Sequence, residues 1–165
     1  MINKIKRITC LYLINTFLST TRFFILKRFL LNFSGIKTGK HTKVVGPIQI
    51  GTVAQLTIGE ECWIGSGFTV YGNGSIIIGD KCDFAPDVAF ITGSHEIGDV
   101  ERRAGEGLSH EIVIGNSCWI GARVTILGDI KISNSSIVGA CSLVNKGIPS
   151  NVIAVGVPAK IIKDI

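Results

Sequence analysis

The sequence predicts an all-β fold in which short strands alternate with regularly spaced corners. Of its 165 residues, 46% are hydrophobic but only 7% are aromatic, and 20 are glycine while 4 are proline. The charged fraction of 18% lies below the roughly 25% of an average globular protein, which excludes a disordered chain, a collagen and a coiled coil. One further observation supports this fold class: a six-residue repeat, which follows a basic N-terminal segment.

Residues 1–36 are predicted to form a helical segment. Nine basic residues precede Glu60, the first acidic residue, whereas residues 60–165 carry eight basic and twelve acidic residues. The apolar residues of 23–33 fall nearly all round a helical projection, so this helix cannot lie bare on a soluble monomer. The longest charge-free run, Ile8–Thr21, has 14 residues, and a spanning helix needs about 20.

Two surroundings remain open for this segment: the interior of an oligomer, or peripheral contact with an anionic membrane. We expect no nucleic-acid partner, because the basic residues flank apolar runs instead of covering a folded face.

An aliphatic or aromatic residue, in most cases followed by a small one, recurs every six residues within residues 37–165, the predicted repeat domain, with one step of eight from Val70 to Ile78 and a longer gap after Phe90. This period is neither that of a helix nor that of a plain strand, and it fits triangular coils with one short strand on each side. We expect the repeating residue to point into the prism and the glycine after it to tolerate the corner geometry. The repeat positions are Ile58, Ile64, Val70, Ile78, Phe84, Phe90, Ile114, Ile120, Ile126, Ile132, Val138 and Val144.

The fourth residue after each repeat position is also expected to point inward and to be small, because the prism is narrow. Cys62, Cys82 and Cys118 occupy this slot, so we interpret them as small core residues. The chain has five cysteines and no Cys-x-x-Cys pair, which argues against a disulfide framework and a zinc site and favours the cytoplasm.

The repeat is interrupted over residues 92–113, which are predicted to form a protruding loop. This segment is polar and glycine-rich, and it contains His95 and His110. Long insertions of this kind are usually functional. His95 closely follows the inward-facing Phe90, so we expect it beside the prism wall as a candidate general base.

The repeat, the Ser94-His95-Glu96 segment and the run from Gly156 to Lys160 resemble the hexapeptide-repeat acyltransferases, with similarity from about residue 37 to residue 163. The sugar and polysaccharide O-acetyltransferases, such as the maltose, galactoside and capsular or colanic acid enzymes, are the most similar. The resemblance implies a left-handed parallel β-helix, a homotrimer, and acetyl-coenzyme A as co-substrate in a groove between neighbouring prisms, without a metal.

By this resemblance, His95 takes the proton of an acceptor hydroxyl group, whose oxygen attacks the thioester directly. Glu96, Asp87 and Asp99 are candidates to orient its imidazole, and Asp87 is also a candidate to contact the substrate. Some members of the family carry an acceptor-binding asparagine on the coil below the catalytic histidine, where residues 65–74 offer glycine and serine before Asn73.

The resemblance also implies a donor site on the C-terminal coils. There, backbone amides of small residues would bind the pantetheine and the thioester oxygen, two lysines would meet the nucleotide phosphates, and an outward tryptophan would pack on the pantetheine. Trp63 is the equivalent of that tryptophan in an earlier repeat and is expected on the substrate side. The candidate donor residues are Trp119, Gly121, Ala140, Ser142, Lys146 and Lys160.

The expected function is therefore acetyl transfer to a carbohydrate hydroxyl, on a surface polysaccharide or its lipid-linked precursor. Serine, an amino sugar and an antibiotic are the rival acceptors, and a non-catalytic trimeric scaffold is the alternative from another class. Some left-handed β-helices are carbonic anhydrases with a zinc held by three histidines, but His41, His95 and His110 form no compact ligand set in the sequence.

Overall fold

The computed structural model describes residues 2–165. Two helices, α1 (Ile2–Phe17) and α2 (Phe24–Phe33), precede all the strands. The strands are, in chain order, β1 (Lys37–Thr38), β2 (Lys43–Val44), β3 (Gln49–Ile50), β4 (Gln55–Ile58), β5 (Trp63–Ile64), β6 (Thr69–Tyr71), β7 (Ser75–Ile78), β8 (Asp83–Phe84), β9 (Ala89–Ile91), β10 (Gly93–Ile97), β11 (Ala104–Ser109), β12 (Glu111–Ile114), β13 (Trp119–Ile120), β14 (Thr125–Leu127), β15 (Ile130–Ile132), β16 (Ile137–Val138), β17 (Leu143–Val144), β18 (Val152–Val155) and β19 (Lys160–Asp164).

Three parallel sheets form the faces of a triangular prism. Face A stacks β1, β4, β7, β12 and β15, face B stacks β2, β5, β8, β13, β16 and β18, and face C stacks β3, β6, β9, β14 and β17. Each coil contributes one strand to each face in turn, as the six-residue period predicts. Within residues 2–165, antiparallel pairing is confined to β19 on β18 and to the pair formed by β10 and β11.

The repeat positions form the interior of the prism, and their predicted inward orientation is confirmed by their burial. Three aromatic rings fill the middle coils, where the centroids of Phe68, Phe84 and Phe90 lie 5.2 to 5.9 Å apart. Such edge-to-face and tilted contacts are favourable beyond the area they bury.

The cysteine slot is confirmed as well. Cys62, Cys82 and Cys118 are at most 2% exposed, and each thiol donates a hydrogen bond of 3.0 to 3.1 Å to a backbone carbonyl oxygen on the neighbouring coil. Hydrogen bonds with the flanking thiols of Cys118 and Cys62, together with burial, raise the pKa of Cys82. This thiol therefore stays protonated and serves as packing.

The expectation that the repeat glycines tolerate an unusual corner geometry is wrong. The positive φ angles lie two residues further on, at residues such as Glu61 (56°) and Lys81 (57°). A glycine is needed at position 59 because the coils touch there: an added Cβ would lie 2.6 Å from the carbonyl carbon of Gly79. The constraint is therefore the close approach of two backbones.

The two helices lie against the first coils of the prism. The Arg7 guanidinium donates hydrogen bonds to the carbonyl oxygens of Gly51 (2.9 Å) and Ala54 (2.6 Å), and Asn15 donates one to that of Ile48 (2.8 Å). Ile14 and Leu31 join the hydrophobic core of the prism. Among residues 2–165, no helix is both long and apolar enough to cross a membrane.

The interruption of the repeat is a β-hairpin where the sequence predicted a loop. Strands β10 and β11 pair in antiparallel fashion from Gly93 opposite Ser109 to Ile97 opposite Ala104. The hairpin leaves the prism after β9 on face C, and the chain re-enters at β12 on face A. It therefore projects from the edge between these two faces, the C–A edge.

Candidate functional site

His95 lies on the hairpin at the rim of a groove of about 410 Å³. Asn73, which follows β6 on the preceding coil, lines the same groove. The residue paired with His95 across the hairpin is Gly107, where an added Cβ would meet no atom within 4 Å. The imidazole thus has open space beside it and an amide side chain in the same groove.

A buried threonine fixes the base of this hairpin. Thr92 is fully buried, and its hydroxyl donates to the carbonyl oxygen of Tyr71 (2.9 Å) and accepts from the N–H of Gly74 (3.1 Å). Its own carbonyl oxygen accepts a hydrogen bond from the N–H of His110 (2.7 Å). These bonds join both hairpin strands to the coil that carries Asn73, so Thr92 positions the two sides of the groove.

Replacing Thr92 with valine tests this positioning. The change keeps the shape but leaves the Gly74 N–H without its partner, which should lower the free energy of unfolding by about 1–3 kcal/mol. Turnover should fall several-fold while donor affinity is retained. Denaturant unfolding and steady-state kinetics measure the two effects, with Thr125→Val on the same face as control. Normal turnover in a destabilised Thr92→Val protein would restrict Thr92 to a structural role.

None of the carboxylates proposed to orient His95 forms a hydrogen bond with it among the described residues 2–165, and Asp87 and Asp99 lie elsewhere on the chain. Asp99 caps the hairpin tip, where its Oδ1 accepts hydrogen bonds from the N–H groups of Glu101 and Arg102 (both 3.0 Å). Asp87 lies at the edge between faces B and C, 3.9 Å from Arg123. Glu96 is exposed, and in residues 2–165 no hydrogen bond joins it to His95.

The candidate donor residues are distributed over three parts of the prism. Trp119 is 56% exposed on face B, and Lys160 lies on β19 at the end of the same sheet. Gly121 and Ala140 meet at the B–C edge, where a Cβ on Gly121 would lie 2.6 Å from the Ala140 nitrogen. Lys146 follows β17 and lies at the C–A edge.

Ser142 differs from the other donor candidates because its side chain faces the interior. It is 2% exposed, and its Oγ accepts a hydrogen bond from the N–H of Gly156 (3.0 Å). Only its backbone is therefore available to a ligand outside the prism, as the backbone role proposed from the sequence requires.

Face B presents a row that the sequence alone did not bring together. Parallel pairing places Lys43, Trp63, Asp83 and Trp119 in register on successive coils, and all four are exposed. The two indoles are two strand spacings apart, roughly 10 Å, with the Asp83 carboxylate between them. Trp63 is partly covered by α2, because its ring lies 5.9 Å from that of Phe24.

A triangular cross-section separates His95 from this row. The C–A edge, which carries His95, lies opposite face B, which carries Trp119. One chain therefore cannot bring the histidine and the exposed tryptophan to one substrate. A second copy whose face B meets the hairpin of the first would complete the site.

Sequence reasoning overlooked Thr92, Gly107 and Asp83, and it left Asn73 without a role. The register of Asp83 follows from its place before Phe84, equivalent to that of Trp63 before Ile64, so the repeat itself contained that signal. Among residues 2–165, no group of three or more side chains is placed to hold a metal ion.

Comparison with known proteins agrees with this architecture. The family model described as "Bacterial transferase hexapeptide (six repeats)" matches residues 111–146. The chain is 31% identical over 138 residues to the putative colanic acid biosynthesis acetyltransferase of Escherichia coli K12, covering 84% of this chain and 74% of that protein. It is 34% identical over 127 residues to the galactoside O-acetyltransferase of the same organism, covering 77% of this chain but 63% of that enzyme, so it spans less than two thirds of that relative.

Solved structures show the same fold. A hexapeptide-repeat acetyltransferase from Vibrio cholerae superposes with a TM-score of 0.85 at 26% identity, covering 98% of this chain and 90% of that one. Its complex with acetyl-coenzyme A gives a TM-score of 0.83 at 26% identity, covering 98% and 86%. The three-faced prism is the left-handed parallel β-helix, and the chain belongs to the hexapeptide-repeat acetyltransferase family.

Proposed function

We propose that this protein transfers the acetyl group of acetyl-coenzyme A to a hydroxyl group of a carbohydrate, on a surface polysaccharide or its lipid-linked precursor. The observation that carries the proposal is the groove in which His95 and Asn73 lie together. A general base beside a neutral amide suits an uncharged hydroxyl substrate, which the amide can bind through both its donor and its acceptor atoms. The proposed compartment is the cytoplasm.

His95 acts first as base and then as acid. Its neutral imidazole accepts the acceptor's hydroxyl proton as the oxygen attacks the thioester carbonyl carbon. The carbon–sulfur bond then breaks, and the imidazolium returns the proton to the leaving thiolate. N–H groups of the small residues at the B–C edge of a neighbouring copy would stabilise the negative charge on the carbonyl oxygen.

The donor candidates fit an elongated ligand at the surface of the prism. Trp119 and Lys160 are exposed on or beside face B, and the adjoining corner of Gly121 and Ala140 carries no bulky side chain. Lys146 is also exposed, but at the C–A edge, so it would reach the donor from the copy that supplies the hairpin. The ammonium groups of both lysines suit phosphates as charge-assisted donors. In the proposed homotrimer, each donor groove lies between the hairpin of one copy and face B of the next, so an isolated chain would be inactive.

Three variants should separate the donor side from the acceptor side. Trp119→Ala and Lys160→Ala should each raise KM for acetyl-coenzyme A about tenfold and leave that for the acceptor nearly unchanged, because each removes a donor contact. Asn73→Ala should instead raise KM for the acceptor and leave KM for acetyl-coenzyme A nearly unchanged. Steady-state kinetics with each substrate varied in turn measures the split. A loss of acceptor affinity in the first two variants would mean that the donor groove is misplaced.

The proposal as a whole is tested by acetyl transfer to free and lipid-linked glycans, with thiol release as the readout. Serine, an amino sugar and an aminoglycoside serve as the competing acceptors. Coenzyme A binding is measured separately by calorimetry, since a non-catalytic scaffold should not bind it. Coenzyme A binding without acetyl transfer to any glycan would reject the proposed carbohydrate acceptor. Absence of coenzyme A binding would reject the proposal that the protein is an acetyltransferase.

A further inference from the structure

The two N-terminal helices are inverted relative to ordinary surface helices, because each turns a basic side chain inward. Lys27 is fully buried and Arg7 is 9% exposed. The Lys27 ammonium donates a hydrogen bond to the carbonyl oxygen of Thr20 (2.7 Å) and lies 4.7 Å from the centre of the Phe24 ring. Burial lowers the pKa of both basic groups, so these cations are held inside at a cost.

The outward sides of the same helices are apolar. On α2 the exposed residues fall within one continuous arc of the helical projection, opposite Lys27 and Leu31. On α1 they form a broader arc, opposite Arg7, Cys10 and Ile14. Phe29 is 63% and Phe33 is 55% exposed. The apolar residues of this surface, hereafter the helical patch, are Ile5, Ile8, Tyr12, Leu13, Ile25, Leu26, Phe29 and Phe33.

The helical patch is continuous across both helices. A groove of about 350 Å³ runs between them and is lined by Ile5, Leu13, Phe29 and Phe33. The rings of Phe29 and Phe33 stack with their centroids 6.3 Å apart, and the ammonium of Lys6 lies 4.7 Å from the centre of the Phe33 ring. Apolar contiguity of this kind marks a docking surface rather than scattered exposed residues.

The charges that the N-terminal segment itself carries beside the helical patch have a single sign. Lys4 and Arg22 are exposed and Lys6 and Arg28 are partly exposed, and no acidic residue precedes Glu60. A contact between the helices of two copies would therefore bring cations together without a compensating charge. An anionic lipid surface supplies both an apolar phase for the rings and negative charge for the lysines and arginines.

We propose that the helical patch is a membrane-docking surface that inserts its aromatic and aliphatic side chains into the interface of an anionic bilayer. The helices lie on the lipid and do not cross it. The inference uses the helices alone and is independent of the proposed acetyl transfer. If the acceptor is lipid-linked, as proposed above, docking would hold the prism at the membrane beside it.

The test is co-sedimentation of the full-length protein with vesicles. We expect binding to vesicles of phosphatidylcholine with about 30% phosphatidylserine, weaker binding to pure phosphatidylcholine, and loss of binding in high salt. The variant Phe29→Ser/Phe33→Ser should lower the partition coefficient at least about tenfold, because it removes two inserted side chains. Lys4→Gln/Arg22→Gln should lower it by about fivefold for each charge.

A matched control separates docking through the helical patch from nonspecific adsorption of exposed apolar side chains. Ile97 and Val100 at the hairpin tip are 89% and 80% exposed, and Ile97→Ser/Val100→Ser should bind vesicles like the unmodified protein. Sedimentation velocity on every variant reports the oligomeric state. Absence of binding to anionic vesicles at low salt would overturn the proposal. So would a Phe29→Ser/Phe33→Ser protein that binds normally but loses its oligomeric state, because a second copy would then cover the helical patch.

Discussion

Replacing His95 with alanine should lower turnover at least ~100-fold while coenzyme A binding and the oligomer remain intact. The factor is the lower part of the range for losing a general base. The imidazole borders the groove that also contains Asn73, and its cross-strand neighbour Gly107 leaves the space beside it open. Because the side chain is exposed on the hairpin, its removal leaves no cavity in the core.

Thiol release under saturating acetyl-coenzyme A measures this effect, and calorimetry confirms that the donor still binds. His110→Ala is the matched control, since His110 lies at the base of the same hairpin but does not line the groove. It should retain turnover within a few-fold of the unmodified protein. Near-normal turnover in His95→Ala would remove this histidine from the mechanism.

Replacing Ala140 with tryptophan should weaken coenzyme A binding by about 100-fold or more, equivalent to about 3 kcal/mol. Ala140 is exposed at the B–C edge beside Gly121, and an indole there would occupy the proposed path of the pantetheine. The prism should remain folded, because the new side chain points away from the core.

Titration of the variant with coenzyme A in a calorimeter provides the measurement. Glu60→Trp is the matched control, because Glu60 also follows a repeat glycine and is exposed, but it lies on an early coil at the A–B edge. Unchanged coenzyme A affinity in Ala140→Trp would show that the donor groove does not pass the B–C edge.

The repeat made the prism predictable from the sequence, because every sixth residue must be apolar for a coil to close around a narrow core. The inward direction of Cys62, Cys82 and Cys118 followed from the same constraint. The sequence suggested that glycine at position 59 serves the corner geometry, but it is needed because the next coil approaches so closely. That distance exists only in three dimensions.

The candidate site was less predictable. His95 could be selected from the sequence because it lies in the segment that interrupts the repeat. The hairpin and its attachment through Thr92 could not, because they depend on hydrogen bonds between coils. The separation of His95 from Trp119 depends on which face each strand joins. The burial of Lys27 beneath α2 contradicts the usual preference of lysine for solvent, so the outward direction of Phe29 and Phe33 could not be read from composition.

The central claim is that each active site is shared between two copies of the chain. Mixing His95→Ala and Ala140→Trp subunits tests it. The His95→Ala subunits keep an intact donor groove, and the Ala140→Trp subunits keep the histidine. In random equal mixing, three quarters of the proposed cyclic trimers contain both variants, and each of these has one site of three with an intact histidine facing an intact groove. We expect about a quarter of the unmodified activity to return after subunits are exchanged by denaturation and refolding. Activity that stays at the level of the separate variants, with hybrid oligomers demonstrated by native mass spectrometry, would contradict a shared site.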